Sequence, residues 1–152
     1  MPSSTEKFTV GIEEEYLLID PETRDLISEP SDAVLQDCEA AIDASVGGVR
    51  PEFLRAQVEV GTEVCTSIAE ARHHLTTLRR TVAEVAENHG MKIIAASTHP
   101  FANWSSQRHT DKDRYNVLAQ DMQTLAHRLL ICGMHVHVGV EDPEDRIDLL
   151  IQ

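Results

Sequence analysis

The chain has 152 residues, 41% of them hydrophobic and 26% charged, which is enough for one domain with a core and is not the composition of a disordered chain. Twenty-six acidic side chains against thirteen basic ones give a net charge of −13. That charge argues against nucleic acid and anionic membrane as partners, because either would be repelled.

Residues 8–19 (FTVGIEEEYLLI) read as a long strand, with Phe8, Val10, Ile12, Tyr16 and Leu18 alternating onto one face. Asp20-Pro21-Glu22-Thr23 is a turn, and Leu26-Ile27 begins the return strand of a hairpin. A helix is expected from about Ser31, its candidate N-cap, to Ile42, after which Gly47-Gly48 breaks the pattern. Residues 53–60 (FLRAQVEV) read as a second main strand. Ser67 and Glu70 make a capping box for a helix with apolar residues at Ile68, Ala71, Leu75, Leu78, Val82 and Val85, ended by Gly90. Residues 91–96 form a short buried strand, 97–113 a polar loop, and 115–130 another amphipathic helix. Residues 133–140 (GMHVHVGV) are the clearest strand, and Asp142-Pro143 starts a final helix with Ile147, Leu149, Leu150 and Ile151 on its apolar face. The mixed order of strands and helices gives an α/β or α+β class.

No apolar run approaches the ~20 residues of a membrane helix, and the first ten residues carry no secretion signal. Cys38, Cys65 and Cys132 are an odd count without close spacing and read as free thiols of a cytoplasmic protein. Only three of the thirteen basic residues are lysines, and arginine suits carboxylate or phosphate recognition as well as plain solubility.

The chemistry concentrates on three strand faces. Side chains alternate across a strand, so Glu13 and Glu15 share a face with Gly11, while Ile12, Glu14 and Tyr16 take the other. Two carboxylates about 7 Å apart on one face repel each other and call for a compensating cation, unless that face is simply solvated. On the second strand Gln57 and Glu59 share a face with Arg55, as they would at a polar ligand or on a wet edge strand. On the third, His135 and His137 share a face, with Met134, Val136, Val138 and Val140 on the core side. Histidines at this spacing suit a metal, the alternative being two hydrogen-bonded core imidazoles. Oxygen-rich sites favour magnesium or manganese, and the histidines move the balance toward manganese or zinc.

Four blocks in order, GIEEEYLLID, QVEVGTEVC, STHPFANW and GMHVHVGV, resemble the glutamate–cysteine ligase type 2 group of carboxylate–amine ligases over nearly all of residues 8–141. The resemblance implies an α+β fold similar to glutamine synthetase, a curved antiparallel sheet with packed helices. It implies ATP and magnesium (or manganese) as cofactors, and glutamate with cysteine or another amine as substrates. Metal ligation is implied for Glu13, Glu15, Glu59 and His135, and less directly for His137. Thr98, His99, Arg108 and Arg114 lie in or beside a family block without an assigned role. Members of this family are more than twice this length, so residues 1–152 are expected to be the N-terminal part of a single, truncated catalytic domain. Self-association into a homo-oligomer is left open. Two other classes compete: a metal-dependent hydrolase with zinc on His135 and His137, and a non-catalytic fragment.

Overall fold

The computed structural model describes residues 8–122 and 130–151. Five strands form one antiparallel sheet: β1 (Thr9–Ile19), β2 (Gly47–Pro51), β3 (Gln57–Thr62), β4 (Lys92–Ile94) and β5 (Met134–Gly139). The order is β2-β3-β1, with β4 and β5 both on the far side of β1. β4 pairs with the C-terminal end of β1 and β5 with its N-terminal stretch, from Thr9 opposite Gly139 to Glu14 opposite Met134. Among the described residues, four helices accompany the sheet: α1 (Ala33–Ala41), α2 (Ile68–Asn88), α3 (Asp113–Met122) and α4 (Pro143–Ile151). This is the antiparallel α+β arrangement expected.

The main core lies between the sheet and α1 and α2. Tyr16, Leu18, Val49, Val58 and Val60 project from the strands onto Val34, Cys38, Leu78, Val82 and Ala86 of the helices. The alternation of β1 and the helical repeat of α2 therefore meet in one apolar layer. α2 starts where its capping signal stands, with the Ser67 side chain accepting a hydrogen bond from the Glu70 amide at 3.2 Å. It ends before Gly90, whose φ of +72° a side chain would disfavour. A second core lies across the sheet, where Leu17 and Ile19 meet Phe53, Leu54, Tyr115 and Leu130.

Several local expectations are corrected. Leu26 makes only an isolated bridge to Ile19, so no return strand follows β1. The N-cap of α1 is Asp32 rather than Ser31, although the Ser31 hydroxyl accepts from the Ala33 amide. Gly47-Gly48 does not interrupt the structure but opens β2. The second main strand begins at Gln57 rather than residue 53, because Phe53–Ala56 is a turn. The Gln57 amide donates to the Leu54 carbonyl at 2.9 Å, and the Gln57 side-chain oxygen accepts from the Leu54 amide. Met134, Val136 and Val138 do not face a core: each is more than half exposed, since α1 and α2 cover the other strands. The C-terminal part of the expected 115–130 helix falls largely outside the described residues.

Candidate metal and substrate site

Register places the charged side chains in rows on the sheet face away from α2. Glu13 stands between Gly61 and His135, and Glu15 stands directly across from Glu59, itself opposite Arg50. Like charges directly opposed across a strand pair destabilise a sheet, so this arrangement needs another justification.

The justification is a cluster. One carboxylate oxygen from each of Glu15, Glu52 and Glu59 lies within 4.8 Å of the other two. Burial pushes the Glu59 carboxyl up, and the charges of Glu13, Glu52 and Glu15 push it further. Burial also pushes Glu15 up, against a hydrogen bond from the Gly133 backbone. Among the described residues, no hydrogen bond or ion pair holds the Glu59 carboxylate. Buried or partly buried, mutually repelling carboxylates with free oxygen atoms form an all-oxygen donor set that fits a hard divalent cation.

Glu13 belongs to an adjoining set. Its carboxylate accepts a hydrogen bond from His137 Nε2 at 2.9 Å and lies 3.7 Å from His135 Nδ1. The His137 contact holds the Glu13 carboxyl below its usual range. The two imidazoles are both exposed, with ring centroids 6.5 Å apart, and meet on Glu13 rather than in a buried pocket. The five expected ligands thus share one face, but only Glu15 and Glu59 join the tight cluster.

Its third member, Glu52, has no signal in the sequence. It sits in the connection between β2 and β3, outside any alternation, and reaches the cluster through the 53–56 turn. Tyr115 holds it by donating its hydroxyl hydrogen to Glu52 Oε2 at 2.6 Å. Burial, then that bond, pushes the Tyr115 phenol up to about 12, so it stays a donor. Arg114 stacks on the Tyr115 ring, its guanidinium carbon 4.3 Å from the centroid.

Two expected participants are corrected. Arg55 leaves the site to pair with Asp32 at 2.8 Å. Gln57 lies at the apolar end of the face, and its amide is occupied, donating to the Ile131 carbonyl at 2.7 Å. That bond anchors the segment entering β5 and so helps to place His135. In the polar loop, His99 is structural: Nε2 donates to the Arg24 carbonyl and Nδ1 accepts from the Ala102 amide. Arg108 pairs with Glu29.

Clefts flank the cluster. One of about 380 Å³ is lined by Gly11, Glu13, Gly48, Arg50, Gly61 and His137 among others. Another of about 280 Å³ is lined by Glu15, Glu52, Phe53, Tyr115, Leu118 and His135. Among the described residues, no helix is long and apolar enough to cross a membrane.

Comparison with known proteins agrees with this architecture. The chain is 57% identical over 146 residues to a Rhodospirillum rubrum protein provisionally named glutamate–cysteine ligase 2, and 54% identical over 149 residues to a Jannaschia protein of the same name. These matches cover 95% and 98% of this chain but 38% of each relative, so the chain spans a little over a third of their length. Among solved structures, the glutamate–cysteine ligase of Francisella tularensis, determined with AMP, superposes with a TM-score of 0.70 at 16% identity, covering 96% of this chain and 29% of that one. The bifunctional glutathione synthetase of Pasteurella multocida superposes with a TM-score of 0.68 at 14% identity, covering 95% and 18%. Both show a common fold. The family model for glutamate–cysteine ligase family 2 matches residues 9–151, and the chain belongs to that family.

Proposed function

We propose that residues 1–152 form the N-terminal part of the catalytic domain of an ATP-dependent carboxylate–amine ligase, a cytoplasmic enzyme that joins the γ-carboxylate of glutamate to an amine such as cysteine. The observation that carries this reading is the convergence of Glu15, Glu52 and Glu59 on one point of the sheet face, in a chain of this family. A carboxylate acylates poorly. Transfer of the γ-phosphoryl group of ATP to it gives an acyl phosphate, and attack by the amine nitrogen then releases phosphate. Glutamate and ATP are both anionic, so the site must neutralise several negative charges at once. Bound magnesium or manganese would supply that neutralisation and stabilise charge on the transferring group. Glu15, Glu52 and Glu59 would hold one ion, and Glu13 with His135 and His137 would hold another. Tyr115 keeps Glu52 turned into the cluster, and Gln57 fixes the approach to β5. None of these side chains needs to be a nucleophile. Family membership favours this reading over a zinc hydrolase.

Calorimetric titration of the chain with manganese tests the ligand set. Glu15→Gln, Glu52→Gln and Glu59→Gln should each weaken binding about tenfold or more, since each removes an anionic oxygen ligand. Glu14→Gln, on the opposite face, should leave the affinity of the folded protein unchanged. Equal losses at Glu14 and Glu59 would sink the assignment. In a full-length relative, ADP release should require both glutamate and an amine. Release that needs neither would mark a plain ATPase.

A further inference from the structure

The charge of Arg50 favours the ionised forms of Glu59 and Glu13, but Arg50 clasps neither. It is exposed, lies directly across β2–β3 from Glu59, and lines the larger cleft. Among the described residues it has no hydrogen-bond or ion-pair partner. A counter-ion for Glu59 would be expected to clasp it, as happens on the other side of the same sheet. There Arg79 grips Glu14 Oε2 through two N–H groups, at 2.7 and 3.1 Å. Arg50 makes no such commitment. Once a divalent cation offsets most of the charge of the carboxylates, their pull on its guanidinium weakens and leaves it to the cleft.

The cleft floor is unusual beside it. Gly48 and Gly61 are paired across β2 and β3, and Gly61 is paired with Glu13 across β3 and β1. A Cβ added at Gly48 would meet nothing within 4 Å, and one at Gly61 would meet only the Glu13 side chain, at 3.7 Å. These glycines therefore are not demanded by packing, and their effect is to leave backbone bare where a ligand can lie close. A planar guanidinium fork above such a floor matches a carboxylate or a phosphate, the two groups on which the proposed reactants carry their charge.

We propose that Arg50 and the glycine-floored cleft beside it form an oxyanion subsite, which takes a carboxylate or phosphate group of a reactant and sets it against the carboxylate cluster. Its place beside the reacting groups rests on the ligase reading above. The acidic cluster repels an incoming anion, so binding at the subsite tightens when the divalent ion is present, and the coupling is reciprocal.

The test is calorimetry on the 152-residue chain in saturating magnesium, with L-glutamate and inorganic phosphate as separate probes. Arg50→Ala should weaken binding of at least one probe about tenfold, the scale of a lost charge-assisted hydrogen-bond pair. A loss for glutamate alone assigns the subsite to a carboxylate, and a loss for phosphate alone assigns it to a phosphoryl group. Gly48→Val should also weaken binding, by filling the floor without changing charge. Magnesium affinity, titrated without a probe, should hold or rise in Arg50→Ala, because a cation beside the ligands has been removed. Unchanged affinity for both probes, failure of both probes to bind the unmutated chain, or a parallel loss of magnesium affinity overturns the subsite. Failure of the unmutated chain to bind magnesium at all would instead count against the ligase reading.

Discussion

Glu14 sits between two site residues in sequence and serves the opposite side of the sheet. Its carboxylate is buried, gripped by Arg79 and by the Tyr16 hydroxyl at 2.5 Å. Burial, then the bond to Glu14, pushes the Tyr16 phenol well above its usual range, so it donates at any physiological pH. In a run of three glutamates, a one-residue slip of β1 would exchange the faces. The Arg79 clasp opposes that slip. The two partners should differ in cost, because Arg79 is half exposed and Glu14 is not. Arg79→Ala strands a buried anion and should destabilise by about 3–5 kcal/mol. Glu14→Gln leaves a cation that can turn to water and should cost about 1–2 kcal/mol. Urea unfolding monitored by circular dichroism checks the order, and a larger loss at Glu14→Gln would contradict it. The facing of Glu13, Glu15 and Glu59 could be read from the period of two. Glu52 could not, because its position depends on a turn that brings a non-strand residue under Tyr115.

At the scale of elements, strand and helix periods were legible wherever a segment faces one core, as in β1 and α2. The reading failed where a side chain substitutes for the backbone. Phe53–Ala56 alternates like a strand, but the Gln57 side chain caps the Leu54 amide and folds it into a turn. β5 alternates just as clearly, yet its apolar side is open, since alternation shows which residues share a face and not what covers it. In the sequence, the glycine pair at the start of β2 has the look of a breaker. Its members have different roles, and this gives a sharp contrast. Gly47 has φ +147°, and a Cβ there would collide with the Gly61 carbonyl oxygen, whereas Gly48 has open space. Gly47→Ala should destabilise by about 1–3 kcal/mol, while Gly48→Ala should stay within about 0.5 kcal/mol of the parent. Thermal unfolding of the two variants measures this, and similar midpoints would show that the tight approach is relieved by movement of β3.

Across the whole molecule, β5 and α4 are among the segments whose apolar side chains α1 and α2 leave uncovered. Met134, Val136 and Val138 are each more than half exposed, as are Ile147, Leu150 and Ile151 of α4. A surface of this kind binds other apolar surfaces. The far edge of β5 also has no strand partner among the described residues, which adds a template for pairing. The chain should therefore self-associate with increasing concentration in sedimentation velocity, and Val136→Lys should reduce the association. A monodisperse monomer across the range would refute this. Because the chain spans 38% of its curated relatives, we expect ADP release with glutamate, cysteine and magnesium to be far slower than in a full-length relative. Phosphoryl transfer draws nearly all its rate from positioned charge. Turnover equal to such a relative would show that these residues suffice.

The pairing of β1 with β5 also has a consequence in time. Glu13 and His137 touch across 124 residues of chain, whereas β3 is joined to β2 by a short turn. Long-range pairings form slowly, because the chain between them must be ordered before the contact repays its closure. β1 therefore waits for β5, more than a hundred residues further along the chain, before its row of Glu13, His135 and His137 is complete. On the proposed ligand set, helix signal should recover in stopped-flow refolding before manganese binding does, so that binding competence itself becomes a clock for the closing step.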